Sequence, residues 1–108
     1  MQIVIVGAGE VGHSLAEALL KNKHQVTIIE KTQARCNGLV KLLNTVVIRG
    51  DGTNISTLAD AEVDKADILI ALTSHDQDNL IACQLASKKF NVPRTIARVT
   101  RRKNKELF

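Results

Sequence analysis

Gly7-Ala8-Gly9-Glu10-Val11-Gly12 stands between a β-branched run, Ile3 to Val6, and a segment of helical periodicity, and an acidic residue, Glu30, closes the next β-branched run. In that setting each glycine has its own mechanical task. Gly7 permits a tight turn, Gly9 lets a pyrophosphate approach with no Cβ in the way, and Gly12 lets helix and strand pack closely. The helix that follows presents unpaired N–H groups and the positive end of its dipole to the phosphates. Glu30 lies 18 residues beyond Gly12, at the expected C-terminal end of the second strand. A carboxylate there accepts both hydroxyls of an adenosine ribose and repels a 2′-phosphate, so NAD(H) is favoured over NADP(H). Lys31 works against that discrimination. A solvated loop carboxylate is the plainer alternative for Glu30.

The rest of the chain repeats the same alternation. Val4 to Val6, Val26 to Ile29, Val46 to Ile48, Ile68 to Leu72 and Thr95 to Val99 are short β-branched runs, separated by segments of helical period. The pattern predicts a parallel sheet with right-handed crossover helices: a Rossmann-type, doubly wound α/β fold in three layers, its five visible strands ordered 3-2-1-4-5. Val11, Leu15, Ala18 and Leu19 are spaced to form the apolar face of the first helix. A second helix over 33–43 turns Cys36, Leu39, Val40 and Leu43 to one side, a third over 55–61 is capped by Asn54, and a fourth over 77–90 follows Asp76 as cap and stops before Pro93. Residues 1–100 read as one nucleotide-binding domain. Residues 101–108 read as the basic start of a further helix in a chain expected to be truncated.

In a parallel sheet every strand-to-helix loop emerges at the strand C-termini, which brings further loops beside the glycines. After the third strand comes Arg49-Gly50-Asp51-Gly52-Thr53, where Asp51 either accepts from an adenine amino group or simply caps the turn. After the fourth comes Thr73-Ser74-His75, whose Thr73 and Ser74 can donate to the second half of a ligand; His75 reads as a solvated loop histidine. In the fifth strand Arg94, Ile96 and Arg98 share one face by period two, and Arg98, near its end, either pairs with a ligand anion or solvates an edge strand.

Composition removes several function classes. The net charge of +4 invites a nucleic-acid reading, but four basic residues and one acidic residue sit in the last eight positions, leaving a nearly neutral body of eleven basic and ten acidic residues. The aromatic residues are Phe90 and Phe108 alone, so the stacking platform of single-strand binders is missing. No apolar run approaches the roughly 20 residues of a membrane-spanning helix. Cys36 and Cys83 have no paired spacing for zinc or a redox dithiol, and His13 and His24 have no metal-ligand partners at readable spacing. No metal site and no catalytic residue is expected, and the location is expected to be cytoplasmic.

These segments, Ile3 to Gly12, Val26 to Glu30, Ile48 to Thr53, Ala71 to Thr73, Asp78 to Cys83 and Pro93 to Val99, together resemble the N-terminal domain of Trk-type potassium uptake regulators, also called RCK or KTN domains. The resemblance runs over residues 1 to about 100. It implies a regulatory module without catalysis, forming homo-oligomers beneath an integral-membrane potassium transporter or channel subunit at the inner face of the membrane. Such a module gates its partner according to bound NAD(H) or, in some relatives, ATP and ADP. Carried over by position, the nucleotide contacts are Gly7, Ala8, Gly9, Glu10, Val11, Gly12, Glu30, Asp51, Thr73, Ser74 and Arg98. The cofactor half of an NAD-dependent dehydrogenase shares the fold and the glycine fingerprint and stays open as an alternative.

Overall fold

β-Branched side chains have stiff χ1 torsions that suit a crowded, pleated surface, and each of the five runs becomes a strand. The computed structural model describes residues 1–100. The elements are β1 (Gln2–Val6), α1 (Glu10–Lys21), β2 (Gln25–Glu30), α2 (Gln33–Leu43), β3 (Val46–Arg49), α3 (Ile55–Asp60), a 3₁₀ turn at Val63–Lys65, β4 (Ile68–Ala71), α4 (Asp76–Phe90) and β5 (Arg94–Ala97). All pairings are parallel and the order is β3-β2-β1-β4-β5, as the alternation predicts. The expected basic helix over 101–108 lies outside the described residues.

Both faces of the sheet are covered, so its central strands are apolar throughout rather than alternating. On one face Ile3, Ile5, Val26, Ile28, Ile68 and Ile70 pack with Ala16 of α1 and Leu39 of α2. On the other, Val4, Val6, Ile29, Leu69 and Ala71 meet Leu58 of α3 and Ala82, Cys83 and Ala86 of α4. Burying each Ile or Leu contributes on the order of 1.5–3 kcal/mol. Because α1 and α2 cover one face and α3 and α4 the other, the chain changes side between β1 and β4. That change opens a crevice at the C-terminal ends of the two strands.

Several boundaries and faces differ from the sequence expectation. In α1 the buried residues are Gly12 and Ala16, flanked by the partly buried Leu15, Leu19 and Leu20, whereas Val11 and Ala18 face outward. The helix lies so close to the sheet that small residues, not large ones, occupy the line of contact. In α2 Cys36 and Leu39 are buried but Val40 is exposed, because this helix covers only the β2–β3 margin and needs a narrower stripe. Asp76 is the first residue of α4 and not its cap; that position is His75, and the Asp76 carboxylate instead accepts from the Thr100 N–H and hydroxyl, both at 2.9 Å. β5 ends at Ala97, two residues short of the expected Val99. Asn54 caps α3 as expected, accepting from Ser56 N–H at 3.1 Å.

The close seating of α1 is testable through two helical glycines. A Cβ at Gly12 would collide with the carbonyl oxygen of Gly7, whereas one at Gly38 in α2 would meet nothing within 4 Å. Gly12→Ala is therefore expected to destabilise by about 1–3 kcal/mol through overpacking. Gly38→Ala should stabilise by about 0.5–1 kcal/mol through helix propensity. Thermal unfolding should separate them, each kcal/mol moving Tm by roughly 4–8 °C in a domain near this size. Equal effects would show that α1 is not held against the glycine loop.

A cleft at the C-terminal ends of the strands

The glycine loop owes its shape to two close approaches. Gly7 takes a left-handed φ of +96°, and a side chain there would stand 2.8 Å from the backbone nitrogen of Thr73. The loop thus runs flush against the β4–α4 loop. Its backbone is fixed by Gly7 N–H donating to Ile29 O at 2.8 Å and Leu72 N–H donating to Val6 O at 2.7 Å. Gly9 differs, since the nearest atom to a Cβ there is Arg35 Nη1 at 3.9 Å. Its face is open, and it looks into a cleft of about 270 Å³.

Three helices begin at this cleft. Gly9, Thr32 and His75 are the N-cap residues of α1, α2 and α4, all three line the cleft, and none provides a side-chain cap. The first N–H groups of a helix have no intrahelical partner, so at α1 and α2 they can serve an anion or water. The contrast is α3, whose N-cap Asn54 follows the cleft-lining Thr53 without lining the cleft itself and caps the helix with its side chain. A larger hollow of about 680 Å³ lies at the opposite end of the sheet, among Leu20, Asn44 and Ala61, where α1, α2 and α3 finish. Helix C-termini present carbonyls and a negative dipole end, which do not favour phosphate.

Glu30 is 95% buried, yet ionised. Its Oε1 accepts from Ala8 N–H and its Oε2 from Thr32 N–H, each at 2.8 Å. Burial alone would push this carboxyl up, but the backbone N–H groups of Thr32 and Ala8, the Thr32 hydroxyl and the nearby Arg35 cation outweigh it and hold the pKa below its ordinary value of 4.5. One side chain thereby fastens the glycine loop to the β2–α2 loop. A carboxylate has about four lone-pair directions, so ribose hydroxyls can still be accepted on the side lining the cleft.

Asp51 is mainly a turn anchor. Its Oδ1 accepts from the Thr53 hydroxyl at 2.7 Å and the Thr53 N–H at 2.9 Å, while Oδ2 lies 3.4 Å from Lys31 Nζ. The Thr53 hydroxyl first, then its N–H, outweigh burial and with Lys31 hold this carboxyl below its ordinary value. The Lys31 pair is exposed and of small net worth, so Oδ2 is readily exchanged. Across the cleft, the fully buried Asn79 accepts from Thr73 N–H at 2.9 Å and from the Thr73 hydroxyl at 2.6 Å, and donates to Thr73 O and Arg98 O, both at 3.0 Å. The Thr73 hydroxyl thus finds acceptors within the protein, the shorter contact being to Asn79 Oδ1 and the other to His75 O at 3.1 Å. The Ser74 hydroxyl stays exposed, 3.3 Å from His75 Nδ1. Arg98 is fixed by its backbone, its N–H donating to Ala71 O at 2.9 Å, while its guanidinium has no partner among the described residues.

Of the residues singled out from sequence, Gly7, Gly9, Glu30, Asp51, Thr73, Ser74 and Arg98 come together on the cleft. Ala8, Glu10, Val11 and Gly12 do not line it. Ala8 supplies its N–H to Glu30, Gly12 packs on Gly7, Val11 is half exposed, and Glu10 borders a groove between α1 and α2. Sequence reasoning passed over Thr32, Arg35 and Asp78 on the cleft and Asn79 behind it. The first two had a signal, since a helix starting just after Glu30 must place its first turn beside the glycine loop. Asn79 stood within the Asp78 to Cys83 segment of the resemblance but carried no role there, because an amide in a helix ordinarily faces solvent.

The family model described as the TrkA-N domain matches residues 3–108. The chain is 39% identical over its full length to a protein of Methanothermobacter thermautotrophicus named Trk system potassium uptake protein TrkA homolog, and spans 50% of that relative's length. Among solved structures, the GsuK channel bound to NAD superimposes with a TM-score of 0.83 at 23% identity, covering 98% of this chain and 19% of the channel chain. The Kef C-terminal domain of Shewanella denitrificans in its AMP-bound form gives 0.82 at 19% identity, covering 95% and 62%. Both share the fold seen here. With the glycine loop, Glu30 and the strand-end cleft in place, the family match settles the assignment: this chain belongs to the TrkA-N domain family.

Proposed function

We propose that the cleft binds a dinucleotide of the NAD(H) type and that the chain is the nucleotide-sensing domain of a potassium-uptake regulator, without catalysis of its own. The observation that carries this reading is the open face of Gly9 beside the uncapped α1 terminus and the ionised Glu30. Backbone N–H groups of the glycine loop hold the pyrophosphate, Glu30 accepts from the adenosine ribose, and Asp51 lies toward the adenine. Ser74 and Arg98 face the second half of the ligand. A relative named as a potassium uptake protein and a structural neighbour bound to NAD support the same reading. The regulator works as a homo-oligomer on the cytoplasmic side of the membrane, attached to an integral-membrane potassium transporter or channel subunit. Sensing requires that the nucleotide bind two conformations of that assembly with different affinity, because only the difference shifts an equilibrium.

A dehydrogenase reading has one observation on its side: His75, hydrogen-bonded to Ser74, lines the cleft where a proton donor for hydride transfer would stand. Incubation with NADH or NAD and a panel of hydroxy acids, aldehydes and ketones decides between them. No turnover above background at 340 nm is expected; sustained oxidation of NADH would restore the enzyme.

Binding itself is tested by calorimetry. Gly9→Val places a branched side chain where the pyrophosphate lies, in a position with open space and an ordinary φ of −70°, so a folded protein that no longer binds NADH is expected. Glu30→Gln keeps an amide oxygen for one backbone N–H but removes the charge, and should weaken NADH by about 1.5–3 kcal/mol. Glu30→Ala is a poorer probe, since it orphans the N–H groups of both Ala8 and Thr32. Unchanged affinity in Gly9→Val and Glu30→Gln would remove the site.

The ligand choice between NAD(H) and ATP or ADP turns on Glu10, an exposed anion in the first turn of α1. A triphosphate reaching past the loop meets repulsion of about 1 kcal/mol in a water-like medium. NADH is expected to outcompete ATP in a titration at fixed ionic strength, and Glu10→Arg to narrow or invert that order. A parent protein preferring ATP severalfold would move the assignment to adenine mononucleotides.

A further inference from the structure

Arg35 leaves the first turn of α2 and stands at the wall shared by the cleft and the α1–α2 groove. Its Nη1 lies 3.8 Å from Glu30 Oε1 and 3.9 Å from the point where a side chain on Gly9 would begin. At 3.8 Å the ion pair is too long for a hydrogen bond, and the two oxygens of Glu30 already accept short bonds from backbone N–H groups. The guanidinium therefore has five donors in a rigid fork and uses none of them for a hydrogen bond among the described residues. Its side chain is 58% exposed, so packing does not hold it there. An exposed pair of this length contributes little to stability, and Glu30 already has its charge met by backbone N–H groups. A planar cation held by one long ion pair, with no hydrogen bond among the described residues, beside an uncapped helix terminus and the open face of a glycine fits phosphate.

We infer that Arg35 is a phosphate-binding residue of the cleft, pairing through its guanidinium with the phosphate chain of an adenine nucleotide lying across Gly9. The inference rests on the nucleotide-binding reading above and adds a contact to it. The loop N–H groups take the phosphate oxygens from the α1 side and Arg35 takes them from the α2 side. Arg35 and Glu10 both border the α1–α2 groove, so the wall carries a cation as well as the loop's anion.

The test measures binding of ADP, NADH and NADPH by calorimetry and of adenosine by ligand-observed NMR, to the parent chain, Arg35→Gln and Arg35→Lys. Arg35→Gln should weaken ADP and NADH together by about 10- to 100-fold, the effect of losing a charge-assisted bond, with adenosine unchanged and the melting curve superimposable on the parent's. Arg35→Lys should recover part of the loss, since it keeps the charge but not the fork. Equal ADP and NADH affinities in the parent and Arg35→Gln would overturn the inference. So would an equal loss for adenosine, which would make Arg35 a shaper of the cleft, or a loss confined to NADPH, which would make it a reader of the 2′-phosphate. If the parent binds neither ADP nor NADH, the nucleotide reading itself falls and takes this inference with it; if the parent binds and Arg35→Gln binds equally well, only the inference falls.

Discussion

A buried carboxylate holds the upper end of this fold in register. Glu30 draws the N–H of Ala8 on one side and that of Thr32 on the other, and through them fixes where the glycine loop and α2 begin. The two bonds are charge-assisted and sheltered from water, so they are worth more than neutral ones. They also keep ionised a group that burial would otherwise neutralise. The feature that fixes the two loops is the one that charges the cleft wall, so a substitution at Glu30 changes its shape and its charge together.

Around that clasp the helix termini are treated in two ways. α3 ends its loop with an Asn54 cap, satisfying its own first turn, while α1, α2 and α4 begin at the cleft without side-chain caps. Leaving a cap out costs a typical helix about 1 kcal/mol. At α1, α2 and α4 the chain goes without that side-chain contribution, and all three N-cap residues line the one cleft. On the far side of the cleft, Asn79 secures Thr73 and the Arg98 carbonyl with its whole hydrogen-bonding capacity, so the β4 and β5 ends are held by a side chain that never meets the ligand space.

Strand order and the glycine loop were legible because both follow from rules with few solutions: alternating elements force a parallel sheet, and the spacing Gly7, Gly9, Gly12 matches the two close approaches and the one open face seen here. The helix faces were less so. Period alone placed Val11 and Ala18 inward, whereas the contact between Gly12 and Gly7 rotates α1 until Ala16 meets the sheet, a tertiary effect that local periodicity does not contain. Loop residues divided by range. Glu30 and Asp51 were readable from position, but Asp51's pairing with Lys31, and the contact of the Thr73 hydroxyl with Asn79, depend on partners brought near only by folding.

The central claim is that backbone amides at the start of α1, within the clasp made by Glu30, receive the ligand's phosphates. An amide-resolved NMR titration of the chain with NADH tests it most directly. The largest shifts are predicted at the N–H groups of Gly9 to Gly12, with smaller ones at Thr32 and Ser74, and little change at Leu20, Asn44 and Ala61 on the opposite end of the sheet. Shifts concentrated at that opposite end, or a titration that leaves the glycine loop unmoved while NADH binds, would contradict it.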